Sequence, residues 1–116
     1  MQYDIEIVLR ERNFAVTEQI EHGIEPRAWG ERDVRIVLEQ ILRAIDRVKN
    51  PDNPAAHIAL RGFSWIIEPV DEGVVIAIEI PTGAAVAGPF AIEQERLDAM
   101  VRRVIAAAAV PRTTIH

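Results

Sequence analysis

The stretch FSWIIEPVDEGVVIAIEI, residues Phe63–Ile80, decides how the rest of the chain must be arranged. Asp71-Glu72-Gly73 is a hairpin turn signature between two runs rich in β-branched and aromatic residues, so two antiparallel strands are expected, Phe63–Pro69 and Val74–Ile80. Side chains alternate along a strand, and a slip of one residue sends each of them to the opposite face. A connection of four residues, Val70–Gly73, places Phe63, Trp65 and Ile67 with Val74, Ile76, Ile78 and Ile80 on one face. A three-residue connection spreads apolar residues over both faces, so the four-residue register is preferred. It leaves Ser64, Ile66, Glu68, Val75, Ala77 and Glu79 on the second face, half of them apolar.

Working outward, Tyr3, Ile5, Ile7 and Leu9 alternate with Gln2, Asp4, Glu6 and Arg10, the period-two pattern of a strand with one dry face. Val8 is the exception. Phe14, Val16 and Ile20 continue a weaker alternation and supply the partner strand of a first hairpin. Residues 21–30, with two glycines and Pro26, read as a loop. From Val34 the period changes: Val34, Val37, Leu38, Ile41, Leu42, Ile45 and Val48 fall on one helical face, with Glu31 and Asp33 at its start and Asn50-Pro51 as its stop. Asn53-Pro54 is an N-cap signature that predicts a short helix over 55–61, with a strand as the rival. Residues 81–88, Pro-Thr-Gly-Ala-Ala-Val-Ala-Gly, read as a flexible connection. Pro89 then opens a last helix whose face carries Leu97, Met100, Val101, Val104, Ile105 and Ala108, ended by Pro111.

The predicted class is α+β: two β-hairpins forming an antiparallel sheet, with two main amphipathic helices packed on one face, in the order ββα(α)ββα. With 116 residues the chain holds one core, so residues 1–111 are expected to form a single domain and 112–116 a flexible tail. Hydrophobic residues at 49% and charged residues at 27% are globular proportions. The net charge of −5 and the scattered basic residues make nucleic acid an unsuitable partner, and no apolar run is long enough for a membrane span. The acidic start lacks the features of a signal peptide, and the absence of cysteine removes disulfides and thiolate sites, so a cytoplasmic location is expected.

Candidate chemistry is sparse. Gly83 and Gly88 have the glycine spacing of a phosphate loop, but Pro89 and Phe90 stand where lysine and a hydroxyl residue are needed. Ser64, the only serine, follows Gly62 without the second glycine of a nucleophile elbow and lies inside a strand. Glu68 and Glu79 fall roughly 13 Å apart in the preferred register, too far for a hydrolytic carboxylate pair. Glu18, Glu21, His22 and Glu25 are dense but lack a fixed scaffold for a metal, so neither metal nor cofactor is expected. Trp29 and Trp65 are read as core anchors. The expectation is therefore a non-catalytic interaction or assembly module. Its contact residues are Ile66, Val75 and Ala77, and its occupant is a second copy in a homodimer or another protein. The alternative is a small-molecule binder or small enzyme with a pocket on the sheet face, using His57, Arg61, Gly83 and Gly88 to hold an anion.

Overall fold

A computed structural model describes residues 1–109. The expected tail at 112–116, the boundary at 111 and the stop at Pro111 lie outside the described residues. Five strands, β1 (Gln2–Leu9), β2 (Ala15–Glu21), β3 (Ser64–Val70), β4 (Gly73–Ile80) and β5 (Gly83–Phe90), form one antiparallel sheet in the order β2-β1-β5-β4-β3. Two long helices, α1 (Glu31–Lys49) and α2 (Gln94–Ala109), pack on one face of it. A single 3-10 turn, Pro26–Ala28, lies in the expected loop before α1. The class is α+β as expected, with one strand more than the two hairpins supply.

That strand is the main correction. Residues 81–88 are not a connection between strand and helix: Gly83–Phe90 is the middle strand, paired with β1 on one side and β4 on the other. Its inward residues, Ala85 and Ala87, are buried and small, which lets the helices lie close over the sheet centre. Pro89 accordingly belongs to β5, and α2 begins five residues later at Gln94. Neither a helix nor a strand forms over 55–61. Leu60 is the only buried residue of that segment, too little apolar surface to hold a turn of helix, and the Asp46 carboxylate accepts the Ala55 amide at 2.7 Å to tie the loop to α1.

The β3–β4 register agrees with the preferred pairing: Trp65 lies opposite Ile78, Ile66 opposite Ala77, and Ile67 opposite Ile76. The ladder closes one pair further, with Val70 opposite Gly73. Gly73 has φ +141°, and a Cβ there would stand 2.1 Å from the Phe90 carbonyl oxygen, so only glycine fits this turn.

The core fills the space between the sheet and the helices. Tyr3, Ile5, Ile7 and Leu9 of β1 meet Val34, Val37, Leu38 and Ile41 of α1, while Leu97, Met100 and Val101 of α2 complete it. At one end of the core the Phe90 ring lies 5.0 Å from Tyr3 and 4.9 Å from Trp29. The Tyr3 hydroxyl donates to Gln40 Oε1 at 2.6 Å, and its burial pushes the phenol well above its ordinary pKa. Trp29 is the core anchor expected of it, with its indole N–H donating to the Ile24 carbonyl at 2.9 Å.

Candidate functional site

Both helices occupy the same side of the sheet, and no described element covers the other. The five strands turn alternate residues onto that open face, and the ladders place them in rows. One row runs Thr17, Glu6, Val86, Ala77, Ile66, and its neighbour runs Ala15, Val8, Ala84, Glu79, Ser64. A third carries Gln19, Asp4 and Gly88 at one side and Val75 opposite Glu68 at the other, across a register shift between β4 and β5.

Within this grid the apolar residues are neighbours. Val8, Ala84, Val86, Ala77, Val75 and Ile66 form one diagonal stripe from β1 to β3, and Val70 extends it at the far end of β3. Ile66 is 54% exposed, Val8 45% and Val86 41%, while Val75, Ala77 and Ala84 are partly covered by their neighbours. A shallow hollow of about 340 Å³ lies over Ser64, Ile66, Ala77, Glu79, Ala84 and Val86. Glu6 and Asp4 flank the stripe on the β1 side, Glu79 lies on its other flank, and Glu68 sits beside Val75. Among the described residues none of these four carboxylates makes an ion pair, whereas Glu18, Glu31, Glu39 and Asp98 elsewhere each hold an arginine.

Ile66, Val75 and Ala77 therefore lie together on the open face. Val8, Ala84 and Val86 join them, beyond the three contact residues expected from the sequence. Val8 was signalled by its apolar side chain in the wet phase of β1; Ala84 and Val86 were hidden by the connection assigned to 81–88. The residues of the anion-site alternative are not gathered. Gly83 opens β5 and Gly88 lies five positions further along it, His57 lines a hollow with Leu42 and Ile45 against α1, and Arg61 lines another with Arg35 and Ala107. Glu68 and Glu79 are separated by four positions along β3, since Ser64 is the partner of Glu79. Ser64 is exposed within β3.

One polar group is buried on the helix side. His22 Nε2 lies 3.1 Å from Asp33 Oδ1, its ring edge-on to Trp29 at 5.8 Å, and Asp33 Oδ2 accepts the Gly30 amide at 3.0 Å. That amide, followed by His22, holds the Asp33 carboxyl below the usual carboxylate value. Together these contacts tie the loop before α1 to the helix start. No group of His, Asp and Glu among the described residues converges as a metal site. No family model, no curated protein and no solved structure matches this chain.

Proposed function

We propose that this protein works by contact and not by catalysis, as an interaction module whose working surface is the open face of its sheet. The observation that carries this reading is the diagonal stripe from Val8 to Ile66, which stays uncovered while the opposite face of the same strands is closed by two helices. A sheet face five strands wide and about seven residues long measures roughly 24 by 23 Å. Covering the whole of it removes about 550 Å² from each partner, and a narrower occupant less, which is the size of a weak or transient contact.

The occupant proposed is a different polypeptide. A second copy laid face to face would bring Asp4, Glu6, Glu68 and Glu79 against their own kind, and among the described residues Arg10 at the end of β1 is the cation that the face has to offer in return. Like charges facing each other oppose association. The anion-binding alternative draws no support, because its four residues lie in separate places.

A panel of fluorescent amphipathic peptides of differing charge, followed by anisotropy, tests this reading together with the mass of the free chain by light scattering. At least one peptide is expected to bind saturably, and Ile66→Glu to abolish binding without altering the far-UV spectrum or the melting temperature by more than a degree or two. Binding that survives Ile66→Glu contradicts the open face as the contact surface.

A further inference from the structure

The shape and charge of the stripe define the kind of partner, and the geometry points to a cationic amphipathic helix laid diagonally across the open face. This inference rests on the contact reading above and adds the partner's chemistry to it.

Length comes first. Neighbouring strands are about 4.8 Å apart and alternate residues of one strand about 6.7 Å apart. From Val8 on β1 to Val75 on β4 the stripe crosses two strand spacings and two rows, about 16 Å, and continuation to Val70 on β3 brings it to about 25 Å. At 1.5 Å per residue this matches roughly 11–16 residues of α-helix. The stripe is one to two side chains wide over most of its course, comparable with the apolar face of an amphipathic helix and much narrower than a second sheet. The sheet already accepts two such helices on its other side.

Charge comes second. Glu6 and Asp4 on one flank and Glu79 on the other face the positions just outside a helix's apolar stripe, and Glu68 lies near the far end. None has a cationic partner among the described residues, so each is free to meet a lysine or arginine of the incoming helix. Arg10 lies beyond Val8 at the end of the face, lining a hollow with Ser64 and Glu79, where it opposes cations only at that margin. A helix with leucines at i, i+3, i+4 and i+7 and lysines beside them satisfies both features at once. An acidic helix or a neutral one satisfies only the first, and a second copy, which offers a sheet face with the same carboxylates, satisfies neither.

The test uses the full chain and two synthetic helical peptides of 16 residues with the same leucine stripe, one flanked by lysine and the other by glutamate. The lysine peptide is expected to bind at least tenfold more tightly at 50 mM salt, to weaken as salt rises, and to lose at least tenfold in affinity for the Glu6→Lys/Glu79→Lys chain. These carboxylates are exposed, so the reversed chain should keep its melting temperature; it should also gain affinity for the glutamate peptide. Equal binding of both peptides, abolished by Ile66→Glu, overturns the cationic partner and leaves the contact surface standing. A doubled mass of the free chain that Ile66→Glu halves makes a second copy the occupant and overturns it likewise. Failure of both peptides to bind a monomeric chain overturns the inference and the contact reading together.

Discussion

Ile66 and Ile67 are consecutive isoleucines on the same strand, yet one is 54% exposed and the other 3%. They stand for the two faces of the sheet. On the helix face, apolar side chains from every strand interlock with α1 and α2; on the open face, a comparable line of apolar groups is bordered by unpaired carboxylates and meets nothing in the described chain. Folding accounts for the first set. The second contributes little to folding, and it is this difference that supports the contact reading proposed above.

The comparison is broken most sharply by truncation. Ile67→Ala should cost about 2–5 kcal/mol in urea unfolding, because it empties part of a closed core, whereas Ile66→Ala should stay within about 0.5 kcal/mol of the parent. Similar losses for the two would mean that the open face is closed by something within the chain. Gly73→Ala comes next, expected to cost about 1–3 kcal/mol through its positive φ and the approach to the Phe90 carbonyl, and it should do so without removing any apolar contact from either face.

A smaller effect follows from pH. The Asp33 carboxyl is held below its ordinary 3.8 chiefly by the Gly30 amide, and the Asp46 carboxyl chiefly by the Ala55 amide, aided by Asn50. A carboxylate with a lowered pKa in the folded chain binds its proton more readily when unfolded. Its stabilising contribution is therefore complete above about pH 4 to 5 and is lost as the pH falls through 3.8 and the lowered folded values. Denaturant midpoints measured from pH 6 down to pH 2.5 should fall less steeply in Asp33→Asn and Asp46→Asn than in the parent. Both groups belong to the helix side, so peptide affinity at neutral pH should be the same in these variants. The smallest effect on stability is expected for Val86→Thr: a change within about 0.5 kcal/mol in urea, with a several-fold loss of peptide affinity measured by anisotropy.

The outer parts of this fold were legible in the sequence and its centre was not. Alternation broken only at Val8 marked β1, and the dense apolar runs around Asp71-Glu72-Gly73 set the register of β3 and β4, because only one pairing put Trp65, Ile67, Ile76 and Ile78 together. The seven-position apolar face from Val34 to Val48 marked α1 just as plainly. β5 escaped because a run of glycine, alanine and proline has the composition of a connection and is disfavoured in strands. Its small residues suit the sheet's middle, where Ala85 and Ala87 lie under the helices, and that need arises from tertiary packing and leaves no local trace. Missing β5 also hid half of the stripe. Ile66, Val75 and Ala77 could be placed on a common face from the hairpin alone, but their continuity with Val86, Ala84 and Val8 depends on β5 lying between β4 and β1.

A methyl-resolved NMR titration of the chain with the lysine-flanked peptide tests the difference between the faces most directly. The Ile66, Val75 and Val86 methyl signals should move progressively and saturate, while those of Ile67, Ile76 and Val74 stay in place. Shifts centred on the latter group, or an unchanged spectrum at millimolar peptide, would contradict the assignment of the open face as the working surface.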